Sequence, residues 1–218
     1  PHVRFVPYGD ADALGAALDE SIGAVVVEPA LGRGGLVFPP EGFLGAVEGL
    51  ARAHGALLIV DEIFTGLGRT GKRFASEGVV QPDVLCVGKA LGGGLPISAC
   101  IGTEAVMRAW GDPDKEAIHT ATFAGSPVSC AAACATLAVL DEERLFDRSR
   151  DEGARWIAAL RDRVGARVRD VRGRGLMVAV ELEDGRRAAR VVRALLQRGW
   201  LVLGAGPSGT TLQLTPQL

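Results

Sequence analysis

Short apolar runs closed by a charge or a glycine alternate along this chain with stretches whose apolar residues recur at helical spacing. Ala24-Val-Val-Val-Glu28, Gly55-Ala-Leu-Leu-Ile-Val-Asp61 and Asp83-Val-Leu-Cys-Val-Gly-Lys89 read as buried parallel strands. Ile97 to Gly102 reads as a further strand. Between them, 10–22 predicts a short helix with Asp10 as N-cap and Leu14 and Leu18 one turn apart. Positions 40–54 predict a second helix through Phe43, Leu44, Val47 and Leu50, which Gly55 ends. This alternation implies a mostly parallel sheet with helical crossovers. Beyond a polar, glycine-rich region, 126–140 predicts an alanine-rich buried helix and 142–164 a longer helix with a charged outer face. Strands over 168–174 and 176–182, a helix over 186–198, and strands at Trp200–Leu203 and Thr210–Leu214 then form an α+β unit. A boundary near Asp141 is expected, with domains at 1–140 and 141–218.

Composition narrows the class. The 218 residues are 48% hydrophobic and 23% charged, as expected of a globular α/β protein. A net charge of −2 and a pI near 6.0 leave no electrostatic footprint for nucleic acid or an anionic membrane surface. No apolar run approaches the ~18 residues of a membrane span. Cys86, Cys100, Cys130 and Cys134 lie in apolar or small-residue contexts without metal spacing, so no metal site is expected. Packing in a reducing, cytoplasmic compartment is the expected use of these thiols.

The chemistry concentrates where two strands end. Asp61 and Lys89 both close apolar runs, and the C-terminal edge of an open α/β sheet is where ligands bind. Four motifs follow in order: Asp61-Glu-Ile-Phe-Thr-Gly-Leu-Gly-Arg-Thr-Gly71, Gly88-Lys-Ala-Leu-Gly-Gly-Gly-Leu-Pro96, His119-Thr-Ala-Thr-Phe-Ala-Gly-Ser-Pro127 and Val171-Arg-Gly-Arg-Gly-Leu-Met177. The series resembles the class III pyridoxal-phosphate aminotransferases, the family of the ornithine, acetylornithine and 4-aminobutyrate enzymes. The resemblance runs from about Ala24 to Pro216. It implies a fold-type I α/β architecture, here the later part of a large cofactor-binding domain plus an incomplete small C-terminal domain. Family members are about twice as long, so the chain resembles a C-terminal half that would be inactive alone.

The resemblance also implies roles. Asp61 would keep the pyridine nitrogen of pyridoxal phosphate protonated; capping the next turn is the competing use. Lys89 would form the Schiff base and shuttle a proton, helped by burial beside a cationic ring that lowers its pKa. Ile63 points to Asp61's side if the chain stays extended, and would pack on the ring. Thr122 matches a threonine that reaches a dimer neighbour's cofactor phosphate, with a helix cap as the competing reading. His119 is expected to be structural.

Three positions depart from the family pattern. Phe64 replaces a glutamine that bonds the cofactor's phenolic oxygen, and Leu31-Gly32-Arg33 replaces Gln-Gly-Glu. Gln213 replaces an arginine that grips a substrate α-carboxylate. A neutral amide cannot supply a charge-assisted fork. Glu28, Arg33 and Gln213 are therefore the candidate substrate contacts, with Glu28 deprived of its family partner. Two apparent nucleotide motifs fail on context. Gly66-Leu-Gly-Arg-Thr-Gly-Lys72 places Arg73 where a P-loop needs Ser or Thr, and Gly204-Ala-Gly-Pro-Ser-Gly209 leads into a strand rather than a helix. The expected function is transamination between an amine or ω-amino acid and a 2-oxo acid by a homodimer. An aminomutase, a decarboxylase and a non-catalytic remnant are the alternatives.

Overall fold

The computed structural model describes residues 3–111 and 121–218, which divide into two compact units. The first comprises Pro1–Pro29, Pro39–Phe64 and Ser76–Leu137; the second comprises Ala30–Phe38, Thr65–Ala75 and Ala138–Leu218. Two early segments thus belong with the C-terminal part of the chain.

The first unit is built on four strands in sequential order: β1 (Ala24–Val27), β2 (Leu57–Asp61), β3 (Val84–Val87) and β4 (Ala99–Gly102). β1–β2 and β2–β3 are parallel, and β4 runs antiparallel to β3. Helix α1 (Ala11–Ala17) starts where the Asp10 carboxylate accepts the Ala13 N–H at 2.8 Å. Helix α2 (Phe43–Ala53) carries the β1-to-β2 crossover and ends ahead of Gly55, whose φ of +67° suits glycine. Its Phe43, Leu44, Val47 and Ala51 bury against Leu58 and Val60 of β2 and Val27 of β1. One sheet face is therefore sealed, and Ile59 and Asp61 alternate to the other. Helix α3 (Glu104–Trp110) was not expected from apolar spacing; the Thr103 hydroxyl caps it by accepting the Val106 N–H at 3.4 Å.

Asp83 fastens the starting end of this sheet. Its carboxylate accepts the Leu58 N–H at 2.7 Å and meets Arg52 Nη1 at 2.8 and 3.0 Å. Its own N–H donates to Leu58 O at 2.8 Å, and its carbonyl accepts the Thr103 N–H at 3.0 Å. One residue thereby ties the beginnings of β2 and β3 to the end of β4. Helix α4 (Pro127–Glu142) contains the boundary between the units, which falls after Leu137.

The second unit holds an antiparallel sheet of β5 (Asp170–Arg174), β6 (Met177–Glu181), β8 (Thr211–Leu214) and β7 (Leu203–Ala205), in that spatial order. Helices α5 (Leu145–Val164) and α6 (Gly185–Leu196) accompany it, and Val171, Val180, Leu182, Ala188 and Leu212 form its core. The strand expected at Trp200–Leu203 lies later, at Leu203–Ala205. Trp200 and Leu201 are 64% and 89% exposed, so their apolar character reflects no burial in this chain. Pairing with β8, from Leu203↔Gln213 to Ala205↔Thr211, sets the strand instead.

The glycines of Val171-Arg-Gly-Arg-Gly-Leu-Met177 have a steric reason. A Cβ on Gly153 of α5 would stand only 1.9 Å from the Gly175 carbonyl oxygen, and Gly175 itself has a φ of +54°. Arg172 holds the 31–37 hairpin by donating to the Leu36 and Gly35 carbonyls at 2.9 and 2.6 Å.

Candidate active site

Asp61 is the last residue of β2, and Lys89 stands two residues beyond the end of the adjacent parallel β3. Both therefore occupy the C-terminal edge of the sheet, as the sequence expects. The Asp61 Oδ1 accepts the Ile63 N–H at 2.9 Å, so the carboxylate is held in a local turn. Capping the next turn and serving a ligand are thus compatible uses of this side chain. Glu62, only 1% exposed, turns away from that edge. Its carboxylate accepts the Ser76 N–H and hydroxyl at 2.7 and 2.8 Å, and its N–H donates to the Cys86 carbonyl at 2.9 Å. That scaffold fixes the chain on either side of Asp61.

Gly88 is extended and leads into a 3-10 turn over Lys89–Gly92. A Cβ at Gly88 would lie 3.5 Å from both Ile63 Cγ2 and Ser98 Cβ, so Ile63 sits over the backbone that delivers Lys89. Lys89 adopts a φ of +43°, in the left-handed region that L-residues enter at a cost of about 1–3 kcal/mol. Gly93 comes so close to α4 that a Cβ would fall 2.4 Å from Thr136 Oγ1. The glycine run therefore allows close approach immediately after the bend that starts at Lys89.

Lys89 is exposed, which departs from the burial expected of it. Its Nζ lies 5.0 Å from the centroid of the Phe64 ring, a cation–π distance. Sequence reading registered Phe64 only as a departure from a pattern, because no periodicity reports a contact between the segments that follow two different strands. Ser98 was missed for the same reason.

The remaining candidates fall in both units. Thr122 is exposed, in a turn before α4; Ser126 is the residue immediately preceding that helix, so Thr122 is not its cap. His119 lies outside the described residues. Glu28 follows β1 in the first unit, and its carbonyl accepts the Tyr8 hydroxyl at 2.9 Å. Arg33 and Gln213 belong to the second unit. Arg33 is exposed, its carbonyl accepting the Gly206 N–H at 3.2 Å, whereas Gln213 is 8% exposed on β8 between Ala179 and Leu203. The two apparent nucleotide motifs form loops: Gly66–Lys72 is turns, and Gly204–Gly209 connects β7 to β8. Among the described residues no group of His, Cys, Asp and Glu could hold a metal ion, and no helix is long and apolar enough to cross a membrane.

The class-III aminotransferase family model matches residues 8–218. The chain belongs to that family. Its fold is similar to solved structures of ornithine aminotransferase from Toxoplasma gondii ME49 (39% identity, TM-score 0.87) and Plasmodium falciparum (33%, 0.88). It is equally similar to acetylornithine aminotransferase from Elizabethkingia anophelis (35%, 0.88). In each case 97% of this chain is covered, but only 50%, 54% and 56% of the other. The chain thus spans about half the length of these structures. Within the class-III fold its first sheet is mostly parallel, and its second is antiparallel.

Proposed function

We propose that this chain carries the lysine and the acid of a pyridoxal-phosphate-dependent transaminase, acting on an amine or ω-amino acid and a 2-oxo acid. The observation that carries this reading is the shared sheet edge: a carboxylate and an amine end adjacent parallel strands, with the amine held in a strained bend. The donor set fits the cofactor, since a carboxylate suits a protonated pyridine nitrogen and a primary amine suits an aldehyde. When bound, pyridoxal phosphate supplies an electron-withdrawing ring that stabilises negative charge at a carbon losing its proton. Lys89 Nζ would hold the cofactor covalently, and once released would carry a proton to and from the substrate carbon. Asp61 would hold the proton on the ring nitrogen, with its own orientation set by the Ile63 N–H. Ile63 would pack against one face of the ring.

Thr122 would contribute to a phosphate site in a homodimer, and Glu28, Arg33 and Gln213 would shape substrate choice. A cytoplasmic setting agrees with four free cysteines. Borohydride reduction of protein incubated with pyridoxal phosphate should fix the cofactor to Lys89 in a peptide map; fixation to Lys72 instead rejects the assignment. Stoichiometric consumption of a 2-oxo acid by the full-length protein separates a transaminase from an aminomutase or a decarboxylase. Absence of any turnover with bound cofactor would favour a remnant.

A further inference from the structure

Two cysteines face each other across the strands that frame the proposed site. Cys86 of β3 and Cys100 of β4 are direct partners in the antiparallel register. The Thr103 N–H donates to the Asp83 carbonyl at 3.0 Å, which makes 83 and 103 a hydrogen-bonded pair. Hydrogen-bonded and non-hydrogen-bonded pairs alternate along an antiparallel ladder. Counting three steps along the ladder, Cys86 and Cys100 form a non-hydrogen-bonded pair, where Cα atoms approach to about 4.5 Å. That separation lies inside the window of about 4.4–6.8 Å that a disulfide spans. The two residues stand directly opposite each other in the ladder, and both thiols are free.

We propose that Cys86 and Cys100 form a redox-responsive cross-strand dithiol that small-molecule disulfides close to an intramolecular disulfide. The two thiols are unequal. Cys100 is exposed, while Cys86 is partly covered. Burial, the neighbouring Cys100 and the Asp61 carboxylate push the Cys86 thiol above its ordinary range. Cys100 is therefore the attacking thiol. Its thiolate displaces one thiolate from the small disulfide, forming a mixed disulfide. Cys86 then attacks the Cys100 sulfur and expels the second. The protein loses two electrons and two protons, and the oxidant leaves as two thiols. A thiol reductant reverses both steps.

Cys130 and Cys134 sit four residues apart on α4, so the test uses protein with both replaced by Ser, beside the unaltered protein. Each is treated with oxidised glutathione, alkylated and examined by intact mass and peptide mapping. The expected product has lost two hydrogens, retains no glutathione, and yields a peptide joining Cys86 to Cys100; dithiothreitol restores both thiols. In Cys86→Ser the resolving thiol is gone, and glutathione should stay on Cys100. In Cys100→Ser the reaction at position 86 should slow at least tenfold. A glutathione adduct that persists on Cys100 of the unaltered protein, or two thiols that stay reduced, would overturn the proposal. The mass result on unaltered protein decides even if a serine variant fails to fold.

Discussion

Asp83→Ala should destabilise the first unit by about 1–3 kcal/mol, the usual cost of leaving a buried donor without its acceptor. The donor is the Leu58 N–H, 2.7 Å from the Asp83 carboxylate, in a residue only 1% exposed. The ion pair with Arg52 contributes little beside this, because that guanidinium is half exposed and screened by water. A chain of this size loses about 2–4 °C of Tm per kcal/mol. Asp83→Ala should therefore lower Tm by about 2–12 °C, and Arg52→Ala by clearly less. Asp83→Asn keeps an acceptor for Leu58 and should fall between them.

The assay is thermal unfolding followed by circular dichroism, at fixed protein and cofactor concentration because ligands shift Tm by mass action. The pH dependence has a defined sign. Burial raises the Asp83 pKa, but the Leu58 N–H and the Arg52 guanidinium outweigh it and hold the carboxyl below its ordinary 3.8. A depressed folded pKa gives stability that is complete above the unfolded value and is lost as pH falls through the folded one. The advantage of wild type over Asp83→Ala should thus be constant near neutrality and shrink in acid below 3.8. Two results refute the reasoning: Asp83→Ala within about 0.5 kcal/mol of wild type, or Arg52→Ala as damaging as Asp83→Ala.

Other substitutions probe different parts. Lys89→Gly should be at least as stable as Lys89→Ala in the same melts, since both remove the amine but only glycine relieves the φ of +43°; a less stable glycine variant would deny that Lys89 is strained. Gly153→Ala should cost about 3 kcal/mol or more despite alanine's better helix propensity, because its Cβ would overlap the Gly175 carbonyl. A neutral result would show that α5 can move away from that turn. Gln213→Arg should raise kcat/KM for α-amino acids and lower it for simple amines by tenfold or more, as a carboxylate partner for a buried arginine is worth a few kcal/mol. Unchanged donor preference would place carboxylate recognition elsewhere.

Much of the first unit was legible because the three parallel strands are short apolar runs whose ends carry Glu28, Asp61 and Lys89, although Val26 of β1 is 67% exposed rather than buried. The direction of β4 was not, since antiparallel and parallel strands share a period of two. Helix α3 left a signal that apolar spacing passes over: a Thr103 cap followed by Glu104 in the first turn. At Trp200 and Leu201 the failure ran the other way, as apolar residues that stay exposed mimic a strand. Phe64 over Lys89, and Cys86 against Cys100, depend on register, and register is written in the pairing of strands rather than in either strand alone.

These two kinds of information meet at opposite ends of one sheet. Asp83 fixes β2, β3 and β4 at one end through satisfied hydrogen bonds, and a one-residue slip there would turn Asp61 and Cys86 to the sealed face. At the other end the chain accepts a positive φ at Lys89, a glycine run against α4 and an amine set over an aromatic ring. Strain of that kind persists where surrounding structure over-determines it. The anchored end is thus a condition for the reactive one, and the Asp83 variants test this link directly. If loosening that anchor lowers Tm yet leaves borohydride fixation at Lys89 unchanged, the strained bend is set locally by the glycines and not by the sheet.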